Sequence, residues 1–335
     1  MRGERLLIVH EDPALGWYDA AAPQAVAALA TREGIDVTLC RTAAIEAGAD
    51  PHADALIAAH DNVVFFARLG DRDRFAAPGR GRKVMCYATT AAALASPFGT
   101  TPHAAMADLK RAVDAALFAA GDITLACPLG TAVRGKAPGA LGTAAEVGVR
   151  RFPLGVPTPM PAEGFSGTVV LARYLTPTGS RVYAPAVLPL ESPVLAEIAA
   201  ARITALSGAE DVVGAVSAHY HALAGRFGID PGVVHSFHAG IHAGCHADRP
   251  AADNADRWSN TVFSSPRVLH FHTCGAYAPG EICWMVTDPT ITLDGRALWQ
   301  DGRFVPHAHP QTAASLARHP ALGDLFAAPP GPIGV

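Results

Sequence analysis

Lysine is scarce in this chain. Lys83, Lys110 and Lys136 are the only three in 335 residues, and arginine supplies the remaining basic side chains. Beside abundant alanine, this reads as coding bias rather than chemistry. The formal net charge is −4, so no basic field exists to gather a polyanion, and nucleic acid is excluded as a partner. Long apolar runs are absent too. None reaches the roughly 18–20 residues that a bilayer crossing needs, so no membrane partner is expected. The opening "MRGERLLIVHED" lacks the apolar stretch of about 7–15 residues and the cleavage site of a secretory leader, which points to the cytoplasm.

Paired cysteines are missing as well. Cys40, Cys86, Cys127, Cys245, Cys274 and Cys283 never stand as CxxC, which excludes a zinc ribbon or thioredoxin-type motif and predicts free thiols. The first strand-to-helix junction, "VHEDPALGWYDAA", has no GxGxxG, so a Rossmann dinucleotide site is unsupported. No GxSxG occurs either, and a cysteine beside histidines in sequence is not a catalytic geometry.

What is present is an apolar chain, 50% hydrophobic, long enough for a large core or two domains. "RLLIVH", "DVTLC", "NVVFFARL", "KVMCYA" and "DITLAC" are short β-rich runs separated by helical segments, the last of these "HAAMADLKRAVDAALFAAG". That alternation predicts βαβ units and a mainly parallel sheet. Near residues 140–165 the texture changes, and "PLGVPTPMPAEGFSG" reads as an irregular connection. "GTVVLARYL" and "SRVYAPAVL" then flank a turn, which predicts a β-hairpin. "PVLAEIAAARITALSG" and "EDVVGAVSAHYHALAGRFG" predict helices, and Asp294-Gly295 and Asp301-Gly302 predict tight turns in a β-rich final third. The expected organisation is an α/β domain over 1–150 and a β-rich α+β domain over 151–335.

Histidine is concentrated. Of fifteen, His219, His221, His235, His238, His242, His246, His270 and His272 crowd one short span. A strand puts residues i and i+2 on one face, so "LHFHTC" would aim His270 and His272 the same way. Imidazole is a common ligand for zinc, iron, copper and nickel. "HAGIHAGCHADRP" carries His238, His242 and His246 at four-residue spacing, but Gly240 and Gly244 each cost about 1 kcal/mol in a helix, so a strand running into a loop is expected. The bland alternative is a set of separately hydrogen-bonded histidines, and it is accepted for His219 and His221 on their amphipathic helix. His307, His309 and His319 are assigned nothing.

The candidate metal ligands are therefore His238, His242, His246, His270 and His272. An iron(II) facial triad requires two histidines and a carboxylate, whereas a hydrolytic zinc site uses three protein ligands and a water. Asp248, Asp253, Asp256, Glu281 and Asp288 are the nearby carboxylates; with His242, Asp248 and Glu281 form the catalytic candidates. Arg68 and Arg72, with Arg74, could grip an anionic substrate, because guanidinium pairs bidentately with carboxylate. Their bland reading is an exposed charged turn.

The ending "GEICWMVTDPTITLDGRALWQDGRF" and the run from Phe237 to Trp258, "FHAGIHAG" to "RW", resemble a superfamily. It contains the 2,5-dihydroxypyridine dioxygenases and the thermophilic-type leucyl aminopeptidases. The resemblance is strongest over residues 235–305 and implies an α/β domain followed by a β-rich metal-binding domain. It carries His238 and His242 over as ligand positions. It breaks where the family has a His-x-Asp pair, for this chain has Cys283 and Met285 there. Sulfur donors are poor substitutes for imidazole and carboxylate at iron(II).

Three functions follow as expectations. The leading one is a metal-dependent enzyme acting on a small organic molecule, an iron(II) ring-cleaving dioxygenase-like protein. The second is a zinc or manganese hydrolase of aminopeptidase type. The third is a metal-free binding protein on the same scaffold. A homo-oligomer is expected, from the related families and a mean hydropathy of +0.21.

Overall fold

The computed structural model describes residues 4–72, 74, 81–139, 148–179, 181–276 and 280–335. The chain divides into two compact units, Met1–Thr100 with Ala145–Pro153, and Thr101–Ala144 with Leu154–Val335. Residues 101–144, read above as part of the first domain, belong to the second unit.

The first unit is built on five parallel strands: β1 (Arg5–His10), β2 (Asp36–Arg41), β3 (Asn62–Phe66), β4 (Arg82–Cys86) and β7 (Arg150–Phe152). Their order is β2-β1-β3-β4-β7, and every pairing is parallel, as the alternating texture predicted. Leu6, Leu7, Ile8 and Val9 are all buried in succession. A strand shielded on both faces needs such a continuous apolar run.

The second unit holds a twelve-stranded sheet: β5 (Ile123–Ala126), β6 (Ala132–Gly135), β8 (Met160–Pro161), β9 (Phe165–Pro177), β10 (Leu188–Ala199), β11 (Arg202–Ser207), β12 (Val234–Ala239), β13 (Val268–Thr273), β14 (Ile282–Thr287), β15 (Thr290–Leu293), β16 (Arg296–Gln300) and β17 (Arg303–Phe304). All of its ladders are antiparallel. β12, β13 and β14 lie side by side, and this triplet carries the histidines. The fold class is thus an α/β unit with a parallel sheet and a strand-rich α+β unit.

Three local expectations change. "DITLAC" forms β5, but it pairs antiparallel with β6 and β15 instead of extending the parallel sheet. The hairpin after β9 exists, yet its second strand begins at Leu188; Ser180 lies outside the described residues. "PVLAEIAAARITALSG" is not a helix: it is the end of β10, a turn, and β11, with Leu195 opposite Ser207 and Ala199 opposite Arg202. Ala200 and Ala201 make that turn at φ +48° and +60°, the double positive φ of a type I′ hairpin. Alanine's helix propensity is a weak prior that strand pairing overrides. The two Asp-Gly steps do form hairpin turns, linking β15 to β16 and β16 to β17.

Candidate metal centre

The register across β12, β13 and β14 sorts their side chains into two faces. On one face Phe237, Phe271 and Trp284 stand opposite one another, with ring centroids 5.2 Å and 5.7 Å apart. The helix Glu210–Phe227 meets this face through Tyr220. Its hydroxyl accepts a 2.6 Å hydrogen bond from Trp284 Nε1 and lies 2.5 Å from Thr273 Oγ1. A buried indole needs such a partner, and the contact fixes which way the strands face.

The opposite face carries His238, His270 and Met285 in one row, and Ser236, His272 and Cys283 in the next. Period-two alternation along β13 places His270 and His272 together, and antiparallel pairing adds His238. All three imidazoles are buried, at 7%, 3% and 8% exposure. Each offers a nitrogen, and these nitrogens lie within 4.8 Å of one another. His238 Nε2 and His272 Nε2 are 3.0 Å apart, and the centroids of His238 and His270 are separated by 4.0 Å. The edge of Phe263 packs on His270 at 6.0 Å. Beside them Trp258 and Val262, from the helix Ala255–Val262, bury Cys283 and Met285 in an apolar cluster.

Among the described residues, this trio is the group arranged to share a cation. Its donor chemistry fits one. Imidazole suits zinc, iron, copper and nickel, and two nitrogens each about 2.1 Å from one ion and at right angles would be about 3 Å apart. The sulfur neighbours do not join as anions. Burial pushes the Cys283 thiol far above its usual range, so it stays protonated, 3.8 Å from Met285 Sδ.

The other candidates stand outside the trio. His242 is buried beyond the end of β12, its backbone N–H donating to Ser264 O at 3.0 Å, and burial lowers its pKa to about 4. His246 pairs with Asp248 at 3.0 Å. Glu281 is buried and meets Arg181 at 3.1 Å, and Asp288 takes both arms of Arg267. No carboxylate joins the group among the described residues. His219 is buried on its helix near Tyr183, and His221 bonds Ser217 O within its own turn.

In the first unit, Arg68 is held by buried Glu11 and exposed Glu46 and stacks over Trp17 at 4.5 Å. Arg72 meets Asp54 at 2.8 Å, and Arg74 lies 3.7 Å from Asp71. All three are engaged with acidic side chains of their own unit.

This arrangement defines a class: an α/β unit followed by an antiparallel sheet that buries a three-histidine centre. No family model and no curated relative matches the chain. Among solved structures, the 2,5-dihydroxypyridine dioxygenase from Pseudomonas putida KT2440 is similar in fold. The TM-score is 0.56 at 15% identity, covering 92% of this chain and 93% of that one. The distant resemblance seen in the sequence therefore extends to the fold. Among the described residues, no helix is long and apolar enough to cross a membrane.

Proposed function

We propose that the protein is a metal-dependent enzyme acting on a small organic molecule, with one divalent cation held by His238, His270 and His272. The observation that carries this reading is the convergence of three buried imidazole nitrogens within 4.8 Å of one another. Imidazole nitrogen is a common ligand for divalent metals, and one cation can take a nitrogen from each of the three. Iron(II) is the favoured ion; when bound it supplies activation of dioxygen, for cleavage of an electron-rich ring. Similarity in fold to a dioxygenase supports this branch. The chain's own part is to orient the imidazoles through strand register and to exclude water with Phe263, Trp258 and Val262.

A zinc or manganese hydrolase is the second reading. Its zinc form is favoured by the all-imidazole donor set, which lacks the carboxylate of a facial triad. Metal analysis of protein purified without added metal, joined to oxygen consumption during turnover, decides between them. Iron with oxygen uptake supports the first reading and zinc without it the second. Protein that takes up neither ion when titrated overturns both, leaving the metal-free scaffold.

A further inference from the structure

The strand β9 changes neighbour part-way along one edge. Phe165 to Thr168 pair with β6, and Leu175 to Pro177 pair with β14, while β10 occupies the opposite edge. From Val169 to Tyr174 no strand is paired on that edge among the described residues; Val170 N donates instead to Thr131 Oγ1 at 3.0 Å. A narrow cleft opens there. Ala172 and Arg173 form one wall, Met285 and Thr287 face them, and Trp258 and Leu129 complete the enclosure.

Arg173 departs from its strand at this gap. Its φ is +69°, the left-handed region that L side chains enter at a cost. Opposite it β10 bulges. Leu190 pairs with Arg173 and Val194 with Leu171, so Glu191, Ser192 and Pro193 oppose Ala172 alone. The side chain is exposed, and its guanidinium makes no ion pair or hydrogen bond among the described residues. Elsewhere in this unit Arg134, Arg202, Arg267 and Arg318 are each paired with an aspartate. The bulge shapes this backbone, and strain of this kind, here beside an unpaired cation on a cleft wall, also gathers at ligand sites. The facing wall leads to the histidines, because Met285 lies directly across from His270. Opposed residues of an antiparallel pair have Cβ atoms about 4.5–5.5 Å apart.

We propose that Arg173 anchors the carboxylate of a small aromatic ligand whose ring lies against Trp258 and Met285. Guanidinium and carboxylate match as a bidentate pair, and the strand gap supplies apolar walls for the ring. The walls now leave only about 10 Å³ of free space, the room of one water. Entry of a ring requires Leu129 to give way, and that side chain is 52% exposed on the turn between β5 and β6. The link to catalysis rests on the metal reading of the histidines; the anion site stands on Arg173 and the cleft.

The test titrates the full chain with benzoate, and with benzamide as the neutral match, by calorimetry and tryptophan fluorescence. Wild type should bind benzoate at least tenfold more tightly than benzamide. R173G should lose at least tenfold in benzoate affinity, leave benzamide unchanged, and raise the thermal midpoint, because glycine accepts the positive φ. R173Q carries the same affinity test should the glycine variant unfold, and L129A should tighten benzoate binding. Chelator-treated protein should still bind benzoate through Arg173, so a failure of the metal reading is seen separately from a failure of this one. Equal benzoate affinity in wild type and in the folded Arg173 variant, or no benzoate binding by wild type, overturns the proposal.

Discussion

His270 lies directly across from His238 on the neighbouring strand, and their ring centroids stand 4.0 Å apart. His272, two residues on, brings its Nε2 to 3.0 Å from His238 Nε2. Replacing His270 and His272 together with alanine should abolish bound metal, read by elemental analysis, and activity with it. The cost in stability should be only about 1–3 kcal/mol, because a catalytic site contributes less to folding than a structural one. Equal metal content in wild type and the double variant would end the metal reading of this pair.

His242 makes stability pH-dependent. Burial lowers its pKa from the usual 6.5 to about 4, so the unfolded chain takes up the proton first. Its contribution is fully present above about pH 6.5 and is lost as pH falls toward about pH 4. The size is on the order of 3 kcal/mol from the linkage relation of about 1.4 kcal/mol per unit. Urea midpoints measured across this window should fall with acid in wild type and less steeply in His242→Gln.

The turn at Ala200 and Ala201 holds two side-chain-bearing residues at positive φ. Each costs about 1–2 kcal/mol in that conformation, so an Asn-Gly replacement should stabilise the protein by at least ~1 kcal/mol. Denaturant unfolding measures this directly. If the segment were helical, the same replacement would destabilise it.

Trp284→Phe removes the donor to Tyr220 Oη on the face opposite the histidines. Loss of that buried bond should cost about 1–3 kcal/mol and leave metal content unchanged. Metal loss from this variant would mean that the two faces of the sheet are not independent.

Light scattering at micromolar concentration should give a multiple of the 34.6 kDa chain mass. The positive mean hydropathy motivates this expectation, and a mass near 34.6 kDa would remove it.

Much of the architecture was legible because it is local. The buried runs of the parallel sheet, the helix Glu210–Phe227 and the two Asp-Gly turns each carry their signal within a few residues. β10 and β11 were not legible. Their alanine-rich text favours helix locally, and the pairing of β10 with β9 and of β11 with β10 decides otherwise. Arg173 gave no signal at all, since a lone arginine in a strand pattern reveals neither its φ nor the gap beside it.

The sequence by itself determined that His270 and His272 share a face, because strand alternation has period two whatever the strand packs against. It could not choose the third member among His238, His242 and His246. That choice belongs to the register of β12 on β13, which sets His238 opposite His270 and leaves His242 and His246 beyond the strand's end. It could not assign the carboxylates either: Asp248 turns back to His246, two residues before it, and Glu281 is drawn to Arg181 by a contact that appears only once distant segments meet. Periodicity is a property of the chain, whereas register is a property of two strands, fixed by which of their faces is buried.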